Sequence, residues 1–255
     1  MRSPADKNTV VLVHGWASAP QVFRGLARAL DKRLRVQLAA LPGYGETAAC
    51  VPYTLENMAD TLAAAAPRQC DVIGWSLGAQ VALAWARRAP RQVRRIALIA
   101  ATPCFTQRAD WPHAVAPSVM RQFTAQIGRD STAVLRRFVA LQSHGDARTV
   151  RVAHQLRTAL FTRPLPAQDV LEAGLELLRT VDLRDTLPAV AQPALVIHGE
   201  SDAVTPCAAG RALSALLPHA EFQAIAGAGH APFLTDADGV AARLLAFMHE
   251  SAAAV

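Results

Sequence analysis

The chain has almost no lysine. Only Lys7 and Lys32 stand among its 26 Lys and Arg residues, so arginine carries the formal net charge of +6. Cysteine is equally scarce. Cys50, Cys70, Cys104 and Cys207 lie far apart with no CxxC pair, which argues against a disulfide framework or a zinc site and fits a reducing compartment. No apolar run approaches the roughly 18 residues of a membrane span. Internal repeats, low-complexity linkers and a glycine-rich phosphate loop are all missing, and the histidines show no spacing that suggests a metal. Lys7, the run VVLVHGW and Ala-Ser-Ala at 17–19 imitate a signal peptide, but cleavage there would remove a segment that the chemistry below requires. A cytoplasmic location is therefore expected, with no membrane or nucleic-acid partner.

What is present describes a globular protein. At 255 residues, 52% hydrophobic and 18% charged, the chain can bury the core of one large domain or two small ones. Short β-branched runs alternate with helical patterns. VVLVHG (10–15), RVQLAAL (35–41), CDVIGW (70–75), VRRIALIA (93–100), ALVIHGESD (194–202) and AEFQAIAG (220–227) carry the strand signals. Helices are expected near 20–33, 54–66, 76–89, 207–217 and 237–250. Continuous apolar runs rather than alternation mark strands covered on both faces, as in a parallel sheet between helices. From about 105 to 185 strand signals stop, and helices are expected near 117–127, 131–143, 147–160 and 167–180. The fold class is α/β, with residues 1–104 and 186–255 forming the core. Residues 105–185 form an all-helical lid over the C-terminal edge of the sheet, where ligands bind in such folds.

Gly74-Trp75-Ser76-Leu77-Gly78 fits G-x-S-x-G where a buried strand gives way to a helix. A strained turn there pushes the serine hydroxyl outward, and the flanking glycines prevent clashes. Ser76 is the expected nucleophile. His230, in the loop GAGHAPFL after the last strand, is the expected base, and Asp202, in GESDAVTP, the expected orienting acid. The order Ser…Asp…His is that of an α/β-hydrolase rather than of chymotrypsin or subtilisin. Glu200 is a competing acid, but it sits nearer its strand and is expected to point into the structure. Backbone N–H groups of Leu77 and Trp16 are the expected oxyanion donors. His14 is expected to brace its loop by hydrogen bonding, and His198 to be a satisfied core residue. No cofactor or metal is expected.

The charge is local. Residues 121–163 hold arginines 121, 129, 136, 137, 148, 151, 157 and 163 against Asp130 and Asp146 only, a surplus equal to the whole net charge. Such a surface is either a solvated helix face or a site for an acidic partner.

The stretches LVHGWASAPQVF, LPGYGET, DVIGWSLGAQVA, TPCF…DWP, RRFVALQ, LEAGLELLRTVDLR and GHAPFL resemble the α/β-hydrolase superfamily over nearly the whole chain. Within it they are most similar to the pimeloyl-acyl-carrier-protein methyl ester carboxylesterases of biotin synthesis (the BioH family). The resemblance implies hydrolysis of a pimeloyl methyl ester carried on an acyl carrier protein, by a monomer with the triad Ser76, Asp202 and His230. Substrate contacts would come from Trp16, Ser76, Leu77, His230 and the lid segment Phe138, Val139, Ala140, Leu141 and Gln142. The acidic carrier gives the arginines a partner, with Arg137, Arg148 and Arg151 as candidate contacts. The superfamily's N-terminal hairpin strands are expected to be missing or reduced. Alternatives are a general esterase or thioesterase without a carrier, and a non-catalytic receptor on the same fold. A haloalkane dehalogenase would need a carboxylate in place of Ser76.

Overall fold

A computed structural model describes residues 8–162 and 164–249. Along the chain the elements are β1 (Thr9–Val13), α1 (Arg24–Leu30), β2 (Arg35–Ala39), α2 (Leu55–Ala65), β3 (Cys70–Trp75), α3 (Leu77–Arg88) and β4 (Val93–Ile99). Helices α4 (Pro117–Ile127), α5 (Ser131–Ser143), α6 (Thr149–Phe161) and α7 (Gln168–Thr180) follow. The chain closes with β5 (Ala194–Gly199), α8 (Cys207–Leu216), β6 (Ala220–Ile225), α9 (Pro232–Thr235) and α10 (Ala237–His249). Among the described residues, no helix is long and apolar enough to cross a membrane.

All six strands join one parallel sheet in the order β2-β1-β3-β4-β5-β6. β3 and β5 are buried along their whole length, as is β1 after its first residue, so both faces of the sheet are covered. The pairs α1/α10 and α2/α3 supply part of that cover. β2 and β6 are the partly exposed edges. After β1 the chain steps outward to β2, then crosses back to place β3 on the other side of β1. That reversal opens a crevice at the C-terminal ends of β1 and β3, the position at which open α/β sheets hold ligands.

Three departures from the periodicity have local causes. The helix expected near 20–33 begins as a 3-10 turn at Pro20–Phe23, and only Arg24–Leu30 is α-helical. The last helix is preceded by the short α9, which Pro232 opens at a first-turn position that needs no N–H. Between β4 and β5 the chain makes three isolated bridges, Cys104 with Asp182, Thr106 with Val115 and Arg108 with Trp111. Single bridges leave no alternating run to read. The four helices there pack as α4 on α5, α5 on α6 and α4 on α7, and α6 also reaches α9 and the 3-10 turn.

Candidate active site

Ser76 caps the N-terminus of α3 at φ 56°, ψ −119°, a left-handed backbone that an L-residue adopts only under strain. The surroundings enforce it. The Ser76 N–H donates to the Ile99 carbonyl at 2.9 Å, which continues the β3–β4 ladder into the turn. A Cβ on Gly74 would lie 2.4 Å from the Gly78 carbonyl oxygen, and one on Gly78 would lie 2.3 Å from that of Val13. Only glycine lets strand, turn and helix approach this closely. Ser76 is the one partly exposed residue in the buried run from Cys70 to Ala86, so its side chain is accessible.

His230 is fully buried, with Nδ1 2.8 Å from Asp202 Oδ2. Its backbone carbonyl accepts from the Trp75 indole at 2.8 Å, which ties the histidine loop to the residue before Ser76. His230 Nε2 is buried and has no hydrogen-bond partner among the described residues. Asp202 Oδ1 accepts the N–H groups of Val204 and Thr205 at 2.8 and 2.9 Å. Burial alone would raise the Asp202 pKa. The charge of His230 and the hydrogen bonds from His198 and His230 outweigh it and hold the carboxyl well below the usual range. Asp202 therefore stays ionised and keeps the proton of His230 on Nδ1, leaving Nε2 free to accept one.

His198 is more than a core residue. Its Nε2 faces two acceptors, the Thr205 carbonyl at 2.8 Å and Asp202 Oδ2 at 3.3 Å, so this nitrogen carries the proton. Sequence gave no sign of the contact, because His198 sits inside an apolar strand. Glu200 is exposed rather than turned inward, and Asp202 alone reaches His230. The expectation about Glu200's direction was wrong: its N–H extends the ladder to Ile225, and the side chain then faces solvent.

The loop after β1 lies against Ser76. A Cβ on Gly15 would be 3.1 Å from that of Ser76 and 3.2 Å from the Trp75 carbonyl. His14 braces this loop as expected. Its Nε2 accepts the Leu41 N–H at 3.1 Å, so Nδ1 is the protonated nitrogen and donates to the Gly15 carbonyl at 2.9 Å. Full burial lowers the His14 pKa to about 4, with the Gly15 bond opposing the shift. The Tyr44 hydroxyl accepts the N–H of Ala17, itself at φ 50°. The Trp16 indole donates to the Leu171 carbonyl of α7 at 2.9 Å. Leu77 opens α3, where backbone N–H groups have no acceptor within the helix.

Above the loop is a narrow apolar cavity of about 60 Å³, lined by Trp16, Phe123, Phe138, Leu141, Val204 and neighbours from α4 and α7. The Trp16 and Phe138 rings meet edge to face at 5.1 Å. Of the segment FVALQ, Phe138 and Leu141 line the cavity. Val139 is buried in the core, Ala140 is exposed, and buried Gln142 offers its backbone carbonyl to the His230 N–H at 3.1 Å. Arginines 121, 129, 136, 137, 148, 151 and 157 are exposed, and none makes an ion pair among the described residues; Arg163 lies outside them. Among the described residues no group of three or more His, Cys, Asp or Glu is placed to hold a metal ion.

Residues 8–237 match the alpha/beta hydrolase fold family. The chain belongs to that family. Within it, the chain is 39% identical over 226 residues to a pimeloyl-acyl-carrier protein methyl ester esterase of Nitrosomonas europaea, covering 89% of this chain and 90% of that one. It is 44% identical to the enzyme of that name from Aromatoleum aromaticum, covering 90% and 94%. In Xanthomonas axonopodis pv. citri the figures are 42%, with 94% of each chain covered. The same α/β-hydrolase architecture recurs in an esterase from Exiguobacterium antarcticum, with TM-score 0.84, 20% identity and 94% and 91% coverage. An enol-lactonase from Burkholderia xenovorans LB400 gives TM-score 0.82, 21% identity and 96% and 92% coverage. The sheet is thus an α/β-hydrolase sheet, and the chain is a carboxylesterase related to pimeloyl-acyl-carrier protein methyl ester esterases.

Proposed function

We propose that the protein hydrolyses the methyl ester of pimeloyl-acyl-carrier protein, releasing methanol and leaving a free carboxylate, with Ser76, His230 and Asp202 as its triad. One observation carries the chemistry. An ionised, doubly braced Asp202 holds His230 by Nδ1 and leaves its Nε2 unpaired, and the imidazole ring lies 5.6 Å from that of Trp75, the residue before Ser76. His230 Nε2 takes the Ser76 proton as Oγ attacks the ester carbonyl. The oxyanion is met by the Trp16 and Leu77 N–H groups, helped by the positive end of α3. Collapse of the intermediate expels methoxide, which receives that proton from His230 and leaves as methanol. Water, deprotonated in turn by His230, hydrolyses the acyl-enzyme. No cofactor takes part.

The relatives' names supply the substrate, and two features agree with it. Phe138 and Leu141 stand over the site as the acyl-facing wall of a lid made by α4 to α7. The cavity's lining is apolar throughout, as an acyl chain requires. Arg148, which caps α6, and Arg151 in its first turn flank Val150, which is 85% exposed. Unpaired arginines around an exposed apolar residue suit an acidic, partly apolar carrier, and Arg137 on α5 adds to them. We place the enzyme in the cytoplasm as a monomer, where its four unpaired cysteines stay reduced.

The test is turnover of pimeloyl-carrier methyl ester against p-nitrophenyl esters. Ser76→Ala should lower kcat on both by roughly 10⁴–10⁶. The double charge reversal Arg148→Glu/Arg151→Glu should impair only the carrier-bound substrate. Equal loss on both would instead mark a general esterase without a carrier.

A further inference from the structure

Asp146 is an acid that the chemistry above does not use. It lies in the turn between α5 and α6 and is 5% exposed, with a donor on each side. Its Oδ1 accepts the Arg148 N–H at 2.7 Å, at the start of α6. Its Oδ2 accepts the Gly229 N–H at 2.9 Å and the Thr235 hydroxyl, from residues 83 and 89 positions away. Gly229 is buried and immediately precedes His230. Neighbouring contacts tighten the same grip. The Ala147 N–H donates to the Gly227 carbonyl at 2.7 Å, and the His230 N–H to that of Gln142 at 3.1 Å. A Cβ on Gly229 would stand 3.0 Å from the Gln142 carbonyl oxygen.

We propose that Asp146 is a positioning residue for His230, fastening the loop that bears the base to the turn between α5 and α6 and to α9. Every other bond in this grip is backbone to backbone and keeps the loop close. The carboxylate holds the N–H side of the peptide that precedes His230, whose Ala228 carbonyl accepts the Ser201 N–H at 2.9 Å, and it is the one side chain to which the buried Gly229 N–H gives its proton. Three donors facing one acid need an acceptor at both oxygens, which a carboxylate supplies and an amide does not. Without it the imidazole keeps Asp202 but loses its fixed approach to Ser76. The inference rests on His230 being the base.

Asp146→Asn should leave a folded enzyme whose kcat on a p-nitrophenyl ester falls about 10- to 100-fold with KM within about threefold, the signature of a displaced catalytic group. Thr235→Val removes one donor to the same oxygen and should lower kcat several-fold, while Thr235→Ser restores it. The double variant should be no worse than Asp146→Asn alone, because both act through Oδ2. A folded Asp146→Asn with kcat near wild type, or one whose loss lies in KM, overturns the proposal. If that variant does not fold, an unchanged kcat in Thr235→Val overturns it. His230→Ala separates the two readings. Retained activity there sinks the base itself, and a dead His230→Ala beside an unimpaired Asp146→Asn sinks this inference alone.

Discussion

His14 makes the loop beneath the oxyanion a pH-dependent element of the fold. Its pKa falls from the ordinary 6.5 to about 4, because full burial removes water from the imidazolium and outweighs the bond to the Gly15 carbonyl. Above about pH 6.5 the imidazole is neutral in both folded and unfolded chains and adds no pH dependence. Between about 6.5 and 4 the unfolded chain binds a proton that the folded chain refuses, so stability falls as pH falls. At 1.36 kcal/mol per unit, 2.5 units amount to about 3 kcal/mol, a large share of a typical domain stability of 5–15 kcal/mol. His14→Asn keeps an amide oxygen for Leu41 and does not titrate. Urea unfolding at intervals from pH 8 to 4 should show wild type losing about 3 kcal/mol more than His14→Asn across that window. The variant should be the less stable of the two at pH 8, with the gap closing as the pH drops. Parallel curves would refute the reasoning, since they would mean that His14 binds its proton equally well in both states.

Two glycines offer steric tests. At Gly174 a Cβ would come within 2.5 Å of Trp16 Cδ1, an indole already pinned through its Nε1 to Leu171, so neither partner can yield easily. Gly174→Ala should cost about 1–3 kcal/mol in denaturant unfolding and lower kcat by displacing the Trp16 loop; an unchanged kcat would detach α7 from that loop. At Gly78 the clash is with the backbone oxygens of Val13 and His14 at 2.3 and 2.5 Å. Gly78→Ala should abolish soluble folded protein, and a variant melting with wild type would show that the elbow has room to spare.

The parts of the site that are local in sequence were legible, and the parts that join distant segments were not. α4 and α5 fall at 117–127 and 131–143 as the helical period indicates, because apolar faces, Pro117 at the start of α4 and Asp130 capping α5 all act within a turn. The Asp202–His230 contact could be anticipated because each residue follows a strand, and strand ends converge on one edge of a parallel sheet. Of the five-residue block FVALQ, two residues line the apolar cavity. A helix sets i and i+3 on one face, so Phe138 and Leu141 reach the cavity while Val139 and Ala140 do not. Asp146 was visible only as a minor charge diluting an arginine-rich surface. Its meaning lies in partners more than eighty residues away, which no periodicity encodes.

The four polar elements of the site divide by what holds them. Ser76 and Asp202 are set by the sheet: the serine by the β3–β4 ladder and close glycine packing, the acid by N–H groups of its own turn beyond β5. Trp16 and His230 are fastened also to the helices between β4 and β5, through Leu171 on α7 and through Gln142 and Asp146 around the end of α5, beside His230's bonds to Trp75 and Asp202. A parallel sheet is rigid, and helices joined to it by loops shift more readily. Displacing those helices should therefore leave Ser76 and Asp202 in place and act on the Trp16 loop and His230, which under the proposed mechanism are the oxyanion loop and the base. The Trp16–Leu171 bond and the bonds of the His230 loop to Gln142 and Asp146 are two hydrogen-bonded seams between these helices and the candidate site. A substitution at either seam should reach kcat without touching Ser76 or Asp202.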